Sequence, residues 1–209
     1  MKRKKSRREL RNWAKKISED YAGKQVHLIC VLKGGVFFMC ELAKRISIPV
    51  SMDFMSVSSY GDGTSSSGVV KIAKDLDETL EGKDVLVVED IIDSGRTLYY
   101  LLDILAKRHP SSMRLCTLLD KPERRVRDVK VDYVGFEIPD EFVVGYGLDY
   151  AQKYRNLPIH RGCRRCGVER GYKTLNDKKT RGLSGATVLI FVVFLFAALW
   201  FTNQFDQKR

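Results

Sequence analysis

The stretch Val85-Leu86-Val87-Val88-Glu89-Asp90-Ile91-Ile92-Asp93-Ser94-Gly95-Arg96-Thr97-Leu98 opens on four apolar residues in a row. A continuous run of that kind suits a central strand buried on both faces of a sheet, here predicted over Asp84–Glu89. Two adjacent acids at its end are costly if buried alone and useful if they meet hydroxyls or a metal-bound sugar. Asp93-Ser94-Gly95-Arg96-Thr97 then leads into a helix over Thr97–His109, which Pro110 ends. Backbone N–H groups at such a helix start favour an anion, so a phosphate fits there, with Ser94 and Thr97 adding hydroxyl donors. A plain Ser/Asp cap would account for Asp93 or Ser94, but not for Glu89 and Asp90.

Outward from this stretch the chain alternates strand and helix. Leu10, Trp13, Ala14, Ile17 and Tyr21 recur at helical spacing and predict a helix over Glu9–Tyr21. A strand is predicted over Gln25–Leu32, a turn at Lys33-Gly34-Gly35, a helix over Val36–Ile46 and a strand over Pro49–Ser58. Tyr60–Gly68 is rich in Gly, Ser, Asp and Thr, a loop signal. Val69–Ala73 and a turn near Gly82 lead back to the opening strand; Met113–Leu119 and Val131–Glu137 are further strands. This order implies an α/β fold, with a mainly parallel sheet, right-handed crossovers and flanking helices.

The net charge of +11 is carried by the ends. Residues 1–16 carry +8, residues 159–181 carry +6 and residues 182–209 carry +1, which leaves −4 on residues 17–158. A nucleic-acid-binding domain carries its basic stripe on the folded body, so no nucleic-acid partner is expected. Basic ends suit the neighbourhood of a membrane better. Cys30, Cys40 and Cys116 sit in apolar runs and read as small buried hydrophobes. An odd count of five cysteines argues against a disulfide framework. The basic Met1–Arg8 run is followed by no apolar stretch, so it does not read as a signal peptide.

The segment Val85–Leu98 resembles the phosphoribosyl-pyrophosphate motif of the type I phosphoribosyltransferases. Further pieces narrow the resemblance to the hypoxanthine-guanine phosphoribosyltransferases, bacterial type. They are Val31-Leu32-Lys33-Gly34-Gly35, Ser59-Tyr60-Gly61-Asp62, Leu119-Asp120-Lys121, the run Val134–Tyr150 and Arg155-Asn156-Leu157-Pro158. Each piece alone is weak; together, from about Ser18 to Pro158, they are specific.

The resemblance implies a type I phosphoribosyltransferase fold with a small hood subdomain. It also implies transfer of 5-phosphoribose to hypoxanthine or guanine, with Mg2+ as cofactor and association into a homo-oligomer. Glu89 and Asp90 would hold the ribose hydroxyls with the metal nearby, and Asp149 would bind a second magnesium. Asp93 would be the general base or acid on a purine ring nitrogen. Ser94, Gly95, Arg96 and Thr97 would cradle the 5-phosphate. Leu32, Lys33 and Gly34 would bind pyrophosphate, in the family through a non-proline cis peptide before the lysine, and Arg155 would assist. Ser59 and Tyr60 would begin a mobile loop that closes over the reaction. Lys121 would donate to the six-position oxygen, Phe142 would stack on the base and the Val143 backbone would read its edge. The choice among hypoxanthine, guanine and xanthine stays open, as does a nucleic-acid-binding regulator on the same fold.

The family pattern stops after Pro158, where a short apolar strand is usual. The chain instead reads Ile159-His160-Arg161-Gly162-Cys163-Arg164-Arg165-Cys166. Cys163 and Cys166 form a lone CxxC with no second pair to complete four zinc ligands, and read as unpaired linker cysteines. Gly182–Phe205 contains no charged residue, and its centre, Val188–Phe201, is almost wholly apolar. That length suits a helix crossing a hydrocarbon core of roughly 30 Å. The expected organisation is a basic segment over 1–16, the catalytic domain over 17–158, a basic linker over 159–181 and a transmembrane helix over 182–205. The catalytic domain would then lie in the cytoplasm, tethered to the membrane. The tail reads either as a true anchor or as the product of a frameshift or fusion, with the altered C-terminus impairing catalysis as a further alternative.

Overall fold

The computed structural model describes residues 3–59, 70–158 and 161–162. Among these the elements run α1 (Arg3–Asp20), β1 (Val26–Val31), α2 (Val36–Ala43), β2 (Val50–Ser59), β3 (Val70–Lys74) and β4 (Asp84–Ile92). They continue with α3 (Arg96–Ala106), β5 (Ser112–Asp120), a 3-10 turn (Pro122–Arg124), β6 (Tyr133–Glu137), β7 (Val143–Val144) and β8 (Arg161–Gly162).

The main sheet has the order β3-β2-β1-β4-β5-β6. Pairing is parallel from β2 through β6, and β3 adds an antiparallel edge beside β2. Successive side chains of a strand point to opposite faces, and both faces of β4 are apolar. Leu86 and Val88 join Leu28, Cys30, Cys116 and Phe38 on one side, under α1 and α2. Val85 and Val87 join Ile29, Leu98, Leu101 and Leu105 on the other, under α3. Cys30 and Cys116 flank Val88 in register on neighbouring strands and are fully buried, whereas Cys40 is half-buried. Burial pushes the Cys30 thiol up to about 12, so it packs as a small hydrophobe.

Four differences from the sequence reading have physical causes. Helix α1 starts at Arg3, six residues before the predicted Glu9 start, and carries Leu10, Ala14, Ile17 and the half-buried Trp13 against the core. Trp13 meets Phe38 and Phe136 edge-on at centroid distances of 6.2 and 5.5 Å. The boundary drawn between residues 16 and 17 therefore falls inside a helix that belongs to the core. Strand β4 runs past Glu89 to Ile92, because β5 continues to pair with it as far as Ile92↔Asp120. Residues 70–74 form an antiparallel strand whose Ile72 is opposite Val57. Finally, Arg161 and Gly162 pair with Val144 and Val143 as a two-residue strand, despite lacking the apolar pattern of the family. Backbone pairing does not depend on that pattern. The β7-β8 pair forms a second small sheet.

The remainder of the predicted linker 159–181 and the predicted transmembrane helix 182–205 lie outside the described residues, as does Cys166. Among the described residues no helix is long and apolar enough to cross a membrane.

Candidate active site

Strand order in the sheet reverses between β1 and β4: β2 and β3 lie beyond β1, while β5 and β6 lie beyond β4. In open α/β sheets the crevice at the carboxyl ends of such strands is the natural ligand site. Here β1 ends in Leu32-Lys33-Gly34 and β4 in Glu89-Asp90-Ile91-Ile92-Asp93. A cleft of about 290 Å³ opens at this point, lined among others by Leu32, Glu89, Asp93, Ser94, Arg96 and Thr97.

Its floor is the start of α3. Gly95 caps that helix at φ +75°, a left-handed conformation that glycine adopts without penalty. A side chain there would also meet the Arg127 carbonyl at 2.9 Å. The Ser94 carbonyl accepts from the Val126 and Arg127 N–H groups, and the Ser94 hydroxyl accepts from the Arg96 N–H at 3.4 Å. The turn is thus pinned from outside while its other N–H groups sit at a helix start.

The turn after β1 depends on glycines. The Leu32–Lys33 peptide bond is cis. A Cβ on Gly34 would fall 1.3 Å from Asp90 Oδ2, and one on Gly147 would fall 1.9 Å from the Gly34 carbonyl oxygen. Only bare backbone lets the Asp90 carboxylate, the turn after β1 and the segment 145–157 approach so closely. That segment folds back on itself: Gly147 N–H donates to the Arg155 carbonyl and Tyr146 N–H to that of Leu157. Arg155 pairs with Asp149 at 2.8 Å and donates to the Gly147 carbonyl at 2.7 Å. Gln152 Oε1 accepts from Lys33 Nζ at 3.3 Å and from Arg155 at 3.4 Å. Lys33, Asp149 and Arg155, far apart in sequence, therefore form one cluster around Gln152.

The two acids near the end of β4 are half-buried side by side. Burial, and then the neighbouring Asp90 charge, hold the Glu89 carboxyl well above the usual carboxylate range. Asp90 is pushed up to about 6 by burial and by Asp149, against the pull of N–H donors and of Arg155. Glu89 Oε2 is buried with no hydrogen-bond partner. Buried polar atoms are normally paired, so an orphaned carboxylate oxygen facing a ligand cleft calls for a hydroxyl or a cation. No group of three or more acid, His or Cys side chains among the described residues is close enough to cage a metal alone.

A third cluster lies beside Asp93. Arg124 Nε donates to Asp93 Oδ1 at 2.9 Å and its Nη1 to Asp140 Oδ2 at 3.3 Å. Lys121 Nζ lies 3.6 Å from Asp140 Oδ1. Phe142 is exposed and meets the Tyr150 ring edge-on at 5.8 Å; neither it nor the half-buried Val143 is among the residues lining the cleft. Ser59 ends β2, and Tyr60 lies outside the described residues. Arg124, Asp140 and Gln152 were not singled out from sequence, because a lone charge or amide in a polar stretch carries no signal of its own.

The profile of the phosphoribosyl transferase domain matches residues 2–151. A hypoxanthine-guanine phosphoribosyltransferase of Streptococcus thermophilus is 59% identical over 142 residues, covering 68% of this chain and 79% of the relative. A hypoxanthine phosphoribosyltransferase of Salmonella typhimurium is 56% identical over 146 residues, covering 69% of this chain and 82% of the relative. Among solved structures, a hypoxanthine-guanine phosphoribosyltransferase of Bacillus anthracis superposes with a TM-score of 0.75 at 46% identity. The match covers 78% of this chain and 96% of that one.

Proposed function

The chain belongs to the phosphoribosyltransferase family, and we propose that it is a purine-salvage enzyme. It transfers 5-phosphoribose from phosphoribosyl pyrophosphate to hypoxanthine or guanine, releasing the nucleoside monophosphate and pyrophosphate. One observation carries the reading: an acid, Asp93, and a helix-start anion cradle, Ser94–Thr97, line one cleft with Glu89 and Leu32 at the reversal point of the sheet.

In this proposal a purine ring nitrogen forms a bond to the anomeric carbon as its proton passes to the Asp93 carboxylate. The electron pair of the broken carbon–oxygen bond leaves with pyrophosphate. Negative charge growing on the leaving group is met by Lys33 and Arg155, which Gln152 and Asp149 hold near each other. The 5-phosphate sits on the Ser94–Thr97 turn. Lys121 donates to the six-position oxygen, the Val143 backbone reads the base edge and Phe142 stacks on the base. Ser59 and Tyr60 start the covering loop, which keeps water from the activated sugar.

The orphaned oxygen of Glu89 and the raised carboxyl of Asp90 fit a partner that is cationic or rich in hydroxyls. Mg2+ commonly takes one or two carboxylates and completes its shell with phosphates and water. Glu89 and Asp90 would hold one ion near the ribose and Asp149 a second, each together with substrate oxygens. When bound, Mg2+ supplies charge neutralisation on the pyrophosphate.

Purified protein given guanine or hypoxanthine, phosphoribosyl pyrophosphate and Mg2+ releases pyrophosphate under this reading; a folded sample that does not turn over removes it. Association into a homo-oligomer is part of the proposal and is read by sedimentation. A cytoplasmic catalytic domain tethered through residues 182–205 rests on sequence alone, and cell fractionation tests it.

A further inference from the structure

The 3-10 turn after β5 places two cations side by side. In such a turn residues three apart eclipse one another, and Lys121 and Arg124 are closed by the Arg124 N–H donating to the Lys121 carbonyl at 3.1 Å. Both side chains reach Asp140: Lys121 to Oδ1 and Arg124 to Oδ2. Arg124 continues to Asp93 at 2.9 Å. The chain of charge is Asp93–Arg124–Asp140–Lys121. Asp140 belongs to the segment between β6 and β7 that also carries Phe142.

An exposed ion pair contributes little to stability, on the order of 1 kcal/mol or less. Arg124, Asp93 and Asp140 are each about half exposed, so a stabilising role is a poor account of this chain. Its ends point to a different one. Asp93 is the proton acceptor of the proposed reaction, and Lys121, with a side chain only 8% exposed, is the proposed donor to the base.

We infer that Arg124 is the positioning residue for Asp93, and that Asp140 braces Arg124 from the base-binding wall. A proton acceptor must face the base in a fixed orientation and as a carboxylate. A guanidinium bonded through Nε holds one carboxylate oxygen and leaves the other for the purine. When Asp93 takes the proton, Arg124 loses its anionic partner there; Asp140 keeps the guanidinium compensated. Because Asp140 also meets Lys121, arrival of an oxygen acceptor at Lys121 is felt along the same chain. The inference rests on the proposed phosphoribosyl transfer.

The test is steady-state kinetics of the full chain beside Arg124→Gln, Arg124→Lys, Asp140→Asn and the Arg124→Gln/Asp140→Asn pair. In Arg124→Gln, kcat for guanine falls about tenfold while KM for phosphoribosyl pyrophosphate stays within about twofold. Arg124→Lys, which keeps the charge, recovers a large part of kcat. Asp140→Asn lowers kcat by about threefold and adds nothing in the Arg124→Gln background, because residues acting through one another are non-additive. The lysine variant keeps the test decisive if the glutamine variant is poorly folded. An unchanged kcat in Arg124→Gln overturns the inference, as does a rise confined to KM for phosphoribosyl pyrophosphate. Additive losses in the double variant overturn the role of Asp140. If the unaltered chain turns over and Arg124→Gln matches it, only this inference falls; if the unaltered chain is inactive, the underlying reading falls with it.

Discussion

In the proposed reaction Asp93 is the proton acceptor. It lines the cleft, and its described polar partner is a guanidinium rather than another acid. Asp93→Asn keeps shape and hydrogen bonding but removes the proton acceptor, so kcat should fall by about 10²- to 10⁴-fold with little change in KM for phosphoribosyl pyrophosphate. Stopped assays of pyrophosphate release read this directly. Gly147 makes a different demand. It has φ +104°, and a Cβ there would meet the Gly34 carbonyl oxygen at 1.9 Å. Gly147→Ala should therefore push segment 145–157 off the turn after β1 and separate Arg155 from Lys33. The expected outcome is a several-fold rise in KM for phosphoribosyl pyrophosphate and a lower melting temperature. At this scale the sequence pattern marked Lys33, Glu89, Asp90, Asp93, Lys121, Asp149 and Arg155 as site residues. It was silent on Arg124, Asp140 and Gln152, because their meaning lies in which charges they touch.

Among elements, α1 reaches further than predicted: the helix read over Glu9–Tyr21 starts at Arg3, so the boundary drawn between residues 16 and 17 cuts it. Its apolar face is buried as its helical spacing indicated, with Leu10 and Ala14 fully buried and Trp13 packed against Phe38 and Phe136. Deleting residues 1–16 strips these side chains from the core. Large buried groups each cost about 2–5 kcal/mol to remove, so the truncated chain should melt far lower or fail to fold, as circular dichroism would show. A dispensable tail would leave melting unchanged. Strand β1 carries a pH-sensitive group. His27 is buried; its Nδ1 shares a hydrogen bond of 2.8 Å with Ser51 Oγ, and its Nε2 has no partner. Burial, and then the Lys83 charge, lower its pKa against the opposing pull of Asp53 and Glu78. The unfolded chain binds this proton near pH 6.5, roughly the free value, while the folded chain resists it until a lower pH. Stability from His27 is thus present above that value and lost as pH falls through the folded one. Asp90, raised to about 6, acts in the opposite direction. The comparison of His27→Asn with the parent isolates the histidine: urea midpoints of the variant should fall less between pH 7 and pH 5.

For the whole molecule, the body of residues 17–158 carries −4 of a net charge of +11. That distribution, with the apolar run 182–205, is the ground for the tether. The full chain should sediment with membranes, and a version ending at residue 181 should stay in the supernatant with comparable turnover. Equal partitioning of the two would remove the tether. The sequence by itself determined the α/β class, the buried central strand and the glycine turn that opens the helix after it. All of these are local: apolar runs, glycine turns and caps act on the residues beside them. The tertiary structure alone decided that β1 and β4 are neighbours at the reversal of strand order, which brings Lys33 and Gly34 to the side of Asp90. It also decided that Gly34 and Gly147 come together and that Asp93, just past the end of β4, meets Arg124, which Asp140 also holds. The physical reason is common to these: each depends on a contact between segments distant in the chain, set by burial and close approach rather than by neighbouring residues.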